Sequence, residues 1–180
     1  MVLRGSNRGA TKKGGSKLPS FHTSVKSANH PSVAGSFCAG LVAMGGYSTK
    51  VKCADPRKLR GSIDIDSALQ GDPAFAQLNR WDYGFGYQSA ANQPEIAVWV
   101  EVHSAHTSEV SVVIRKKNWL KNYLIAECAD LWKMTSLNQR SLGQFYWIAS
   151  KGVQISKNSP QARLLASSGI SWPQSILVLD

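Results

Sequence analysis

A chain of 180 residues, 43% hydrophobic with six Trp, five Tyr and five Phe, has room for one globular domain plus an appendage, and it is too apolar to be wholly disordered. Lys and Arg total 21 against 11 Asp and Glu, and the excess lies entirely before residue 61: 11 basic and one acidic residue up to Arg60, ten of each beyond it. No stretch reaches the ~18 apolar residues of a membrane span, and the longest weakly polar run, Val33 to Tyr47, is broken by four glycines.

Cys38, Cys53 and Cys128 are odd in number, widely spaced and form no CxxC pair. That pattern fits reduced thiols and a cytoplasmic setting, and neither a disulfide framework nor a zinc ribbon. The start of the chain lacks an apolar signal region. Gly14, Gly15 and Pro19 oppose the amphipathic helix of a transit peptide, although the first acidic residue is only Asp55.

Residues 1–32 are rich in Gly, Ser, Lys and Asn and offer little surface to bury, so they are expected to form a mobile basic tail. Its lysines, Lys12 and Lys13 among them, could neutralise phosphates and release counterions, or simply keep the chain soluble. Residues 33–60 mix small apolar side chains with Lys50, Lys52, Arg57, Lys58 and Arg60 and are assigned no structure. Residues 61–180 are read as the single globular domain.

Within that domain Ser62 to Asp66 alternates with period two and runs into a short segment that Asp66 could cap as a helix. Arg80 to Tyr87 alternates strictly, with Trp81, Tyr83, Phe85 and Tyr87 on one face and Arg80, Asp82, Gly84 and Gly86 on the other. Ile96 to His103 repeats the pattern, with Ile96, Val98, Val100 and Val102 against Ala97, Trp99, Glu101 and His103. Asn92 and Pro94 between the two runs supply turn chemistry, so a hairpin is expected. Thr107 or Ser108 then caps a long helix carrying Val110, Val113, Ile114, Leu120, Leu124, Cys128 and Leu131 on one side, with Arg115, Lys116, Lys117 and Lys121 mainly on the other. A strand from Phe145 to Ser150, a helix opened by Ser159-Pro160 and a last strand from Ser175 to Leu179 complete the order. The expected architecture is a mixed β-sheet built on a central hairpin and flanked by helices, in the α/β or α+β classes.

If the hairpin is symmetric about its loop, Asp82 stands opposite Glu101 and Arg80 opposite His103. Facing carboxylates repel unless a cation or a proton intervenes. The glycines beside Asp82 suggest an open, acidic face, with the aromatic and valine face as the core side. Mg²⁺ or Mn²⁺, which is satisfied by one or two carboxylates plus water and phosphate oxygens, fits this inventory, and His103 could position or deprotonate a bound water. Trp99 could stack on a base, and Arg80, Arg115, Lys116 and Lys117 could contact phosphates. Asp64 or Asp66 could add a third acidic ligand. His103 and His106 alone are too few for zinc.

Asp82 on one strand and Glu101-Val102-His103 on the next, followed by a helix and a further strand, resembles the core pattern of the PD-(D/E)xK nuclease superfamily over roughly residues 80 to 150. The resemblance implies a restriction-endonuclease-like fold and metal held by Asp82, Glu101 and the Val102 carbonyl. His103 stands where the family has the lysine that supports the attacking water, and a neutral imidazole carries no fixed charge. The expected function is metal-dependent hydrolysis of nucleic acid. The alternatives are a catalytically inactive nucleic-acid-binding or regulatory module on the same scaffold, and a small protein-interaction domain. A homo-oligomer is compatible with either scaffold.

Overall fold

The computed structural model describes residues 19–137 and 144–180. Helices α1 (Phe21–Lys26) and α2 (Pro31–Ala34) lead into two 3-10 turns over Val42–Lys50, joined at Gly45, and then into β1 (Val51–Cys53). There follow β2 (Leu59–Asp64), α3 (Ile65–Gln70), β3 (Tyr83–Tyr87), β4 (Ile96–His106), α4 (Val110–Glu127), α5 (Ala129–Ser136), β5 (Phe145–Gln154), α6 (Pro160–Ser167) and β6 (Leu177–Leu179). The main sheet has the order β2-β3-β4-β5, with β5 parallel to β4 and the other neighbours antiparallel, so it is a mixed sheet flanked by helices. β1 and β6 pair in parallel as a separate two-stranded sheet.

Both faces of the main sheet are buried. One packs Trp99, Phe145 and Trp147 beneath α1 to α5, and the other packs Phe85, Tyr87, Val98, Val100 and Ile148 against Met44, Val51, Leu177 and Leu179. The expected open face is therefore corrected. Gly84 and Gly86 do not leave space above the sheet; the Trp99 ring fills the place a Cβ would take at Gly84, and Phe21 does so at Gly86. Trp81 lies before β3 rather than in it, and packs in the helical core, edge-on to Phe145, rather than beside Tyr83. Because the indole of Trp99 is fully buried and bonded to the Thr135 hydroxyl, it cannot yield to a methyl group at position 84. Gly84→Ala should cost about 1–3 kcal/mol in a urea titration, the usual penalty of overpacking. A midpoint within error of the parent's would show that the Gly84–Trp99 contact is loose.

Residues 19–32 also differ from the expected mobile tail. Ser20 caps α1 by accepting from the Thr23 N–H, and Phe21 and Val25, one turn apart, are fully buried. Residues 33–60, unassigned from sequence, hold the end of α2, the 3-10 turns, β1 and the start of β2. Helix α3 is capped by Asp64, not Asp66, because β2 ends there and the Asp64 carboxylate accepts the Ser67 N–H at 2.8 Å. The single long helix is divided at Cys128, whose backbone leaves the helical region. Among the described residues no helix is long and apolar enough to cross a membrane.

Candidate active site

β3 and β4 pair with Tyr83 opposite Val100 and Gly84 opposite Trp99. One step beyond the last pair, Asp82 and Glu101 come level, which is the register the alternation implied. Asp82 is tied down from two sides: its carbonyl accepts the Ile65 N–H at 3.0 Å, and its Oδ2 accepts the Val102 N–H at 2.9 Å. Glu101 lies in β4 beneath α4, with 0% of its surface exposed.

The residue that completes the cluster is Lys116. It projects from α4 so that its Nζ donates to Glu101 Oε1 and lies 3.3 Å from Asp82 Oδ1. Asp82 and Lys116 keep about a fifth of their side-chain surface open, so the cluster touches solvent on their side. Glu101 Oε2 is buried and has no hydrogen-bond partner among the described residues.

Two carboxylates and one ammonium in a nearly dry place leave one negative charge uncompensated, and the proton affinities reflect it. Burial first, and then the charge of Asp82, push Glu101 up to about 8 against the pull of Lys116. Burial also raises Asp82, although Lys116 and the Val102 N–H oppose the shift. Burial disfavours the charge on Lys116, but Glu101 and Asp82 together outweigh it and leave its pKa raised.

The donor set suits a sparsely held, hard divalent ion. It offers the free Glu101 oxygen and the Asp82 carboxylate, with the Val102 N–H, but not its carbonyl, shown at the cluster. Such an ion completes its shell with water and phosphate oxygens. Among the described residues no group of three or more His, Cys, Asp or Glu side chains is placed to hold a metal, so a protein-only cage is absent there. Asp64 accepts from the Ser67 N–H and hydroxyl and Asp66 from Arg80, and neither joins Asp82 and Glu101 in a three-carboxylate group.

The other expected site residues are placed elsewhere. His103 shares a 2.8 Å hydrogen bond between its Nε2 and Glu109, away from the carboxylate pair. Arg80 is 8% exposed and donates to Asp66 and to the carbonyls of Phe75 and Ala76, so it braces the loop before β3 and is not free for a phosphate. Trp99 is core and cannot stack on a base. Arg115 is exposed on α4, whereas Lys117, about 100° round the helix from Lys116, lies over the Phe145 ring. Lys12 and Lys13 lie outside the described residues. Lys116 was among the expected phosphate contacts. Its place at the carboxylates shows in sequence only as an α4 position flanking Val113 and Leu120, the buried stripe over β4.

No protein-family model, no curated protein and no solved structure matches this chain.

Proposed function

We propose that the chain is a metal-dependent nuclease built on a restriction-endonuclease-like core, with Asp82, Glu101 and Lys116 as its catalytic cluster. The single observation that carries the reading is the convergence of these three side chains around an unpartnered, buried Glu101 oxygen. The element order supports it: an antiparallel β2-β3-β4 run, a crossover through α4 and α5, and β5 parallel to β4. Lys116 supplies from the helix a fixed positive charge beside the two carboxylates, whereas His103 is turned to Glu109. Asp82 and Glu101 would hold Mg²⁺ or Mn²⁺. A bound ion there would act as a Lewis acid on the phosphoryl oxygen and lower the pKa of a coordinated water. Lys116, held between the two carboxylates, would attract the phosphate and orient the attacking water on the solvent side of the cluster. The basic residues before Arg60 add salt-dependent affinity for the strand.

One observation favours a second reading on the same scaffold. Lys116 already bridges both carboxylates, as an internal cation would in a module that binds nucleic acid without cutting it. The discriminating experiment incubates labelled single- and double-stranded DNA and RNA with the protein in Mg²⁺ or Mn²⁺ and, in parallel, in EDTA. Cleavage of at least one substrate with metal only is expected. No cleavage of any substrate, with salt-sensitive binding retained, would replace the nuclease with the binding module. Absence of salt-sensitive binding as well would leave the protein-interaction domain.

A further inference from the structure

A cleft of about 310 Å³ opens at the end of the hairpin opposite the carboxylates, lined by His22, Phe37, Leu59, Arg60, Gly61 and Glu95, with Ser20, Ala39 and Gly40 at its rim. Leu59 pairs with Tyr87, and Ile96 stands at the start of β4, so the cleft and Glu101 are separated by five strand residues, roughly 17 Å.

The cleft owes its form to an irregularity in β2. The register with β3 shifts between Leu59 and Ser62, which leaves Arg60 and Gly61 as a bulge. Bulges re-aim side chains, and this one is held by two hydrogen bonds between Cys38 and Ser62, at 2.8 and 2.9 Å. Only glycine serves at position 61: its φ is +116°, and a Cβ there would lie 2.2 Å from the Phe37 ring. The bulge thus seats Phe37 against bare backbone and turns Arg60 toward Glu95, 3.1 Å away. Glu95 is committed on both oxygens, to Arg60 and to the Phe21 N–H. The Arg60 guanidinium remains partly exposed, and its Nη2 has no partner among the described residues. Across the cleft, exposed His22 packs its ring 4.4 Å from that of Phe37. An aromatic and aliphatic floor beside a half-committed guanidinium is the chemistry that takes a planar base with a phosphate attached. The setting agrees in charge: Lys58 precedes the bulge as a further cation, whereas Arg57 is taken up by Asp55.

We infer that this cleft is a nucleotide-binding subsite distinct from the carboxylate cluster, in which Phe37 and Leu59 seat the base and Arg60 with His22 holds the phosphate. It accepts either a free nucleoside monophosphate or one nucleotide of a strand whose scissile bond lies at Asp82 and Glu101; the second form rests on the nuclease reading and the first does not.

The test uses the full chain in EDTA, so that no cleavage occurs. The four nucleoside monophosphates and a fluorescent 12-mer oligothymidylate are titrated separately, followed by NMR shifts of the His22 and Arg60 side chains and by anisotropy. Arg60→Gln removes the phosphate contact, and Ala39→Trp fills the cleft from an exposed rim position. The expected result is saturable binding that shifts His22 and Arg60, weakened at least tenfold in both variants, while the melting temperature of Ala39→Trp, which leaves the Arg60–Glu95 pair intact, stays near the parent's. Binding of the oligonucleotide alone would assign the subsite to a strand, and binding of a monophosphate would assign it to free nucleotide. No shift at His22 or Arg60 with any probe, or equal affinity in parent and Ala39→Trp, would overturn the inference. Because metal is absent, failure here is separable from failure of the cleavage assay.

Discussion

Glu101→Gln should abolish metal-dependent cleavage and, in EDTA, make the protein more stable than the parent at pH 8. The two effects come from one carboxyl group in a place where water cannot solvate its charge. In the unfolded chain Glu101 ionises around its ordinary 4.5, whereas in the folded chain burial and Asp82 hold it to about 8. Below pH 4.5 both states keep the proton and the group is neutral in its effect on folding. Between 4.5 and 8 the unfolded state loses the proton first, so stability falls across that window and reaches its full deficit above pH 8. Asp82, also raised, deepens the fall from its own ordinary value of 3.8 upward. Lys116, raised above 10.5, stays charged throughout and adds no slope. Gln keeps the shape and accepts the Lys116 hydrogen bond without ionising, so the variant's melting temperature should be nearly flat from pH 5 to 8 while the parent's declines. Parallel pH profiles for the two proteins would show that Glu101 titrates normally, and cleavage retained by the variant would remove it from the catalytic cluster.

Lys116→Met should fold at pH 5 and be severely destabilised at pH 8, by about 3–5 kcal/mol, the usual consequence of stripping a buried carboxylate of its partner. At pH 5 the raised Glu101 carries its proton, and the loss of the ammonium leaves only Asp82 to compensate. At pH 8 in the parent Lys116 pulls both carboxyl groups down; without it burial and their mutual repulsion push both further up, and keeping a proton on the pair that the unfolded chain gives away costs stability at that pH. The double variant Lys116→Met/Glu101→Gln should recover most of the loss at pH 8, because one of the two charges is then gone, and this non-additivity measures the coupling directly. Urea titrations of the four proteins at both pH values give the result. Equal destabilisation at pH 5 and pH 8, or no recovery in the double variant, would show that Lys116 acts by packing its methylenes and not by its charge.

The hairpin and the carboxylate pair were legible because both are written in local alternation. Once Tyr83 and Val100 are paired, the position of Glu101 opposite Asp82 follows from strand period alone. Lys116 is different in kind. A lysine in a run of three cations on a helix looks solvated from sequence, and only the packing of α4 over β4 turns this one downward. The glycines misled for a related reason: an absent side chain marks room, and the sequence does not say whether a ligand or a neighbouring ring will take it. Phe21 and Val25 were hidden by the average composition around them, although their spacing and the Ser20 cap form a readable helix signal. The β1–β6 pair could not be seen at all, since no local pattern joins Val51 to Leu177.

That small parallel sheet bears on the order in which the chain assembles. The β2-β3-β4 run closes through connections of 18 and 8 residues, but β1 must wait for a segment more than a hundred residues downstream, and the entropy of closing so large a loop is recovered only after the intervening structure has brought the ends together. The Tyr87 hydroxyl donates to the Asp180 carbonyl across the same seam, so one face of the central hairpin receives its cover last. Loop closure therefore sets the hairpin that carries the carboxylates ahead of the seam that joins the two distant ends of the chain on its other face.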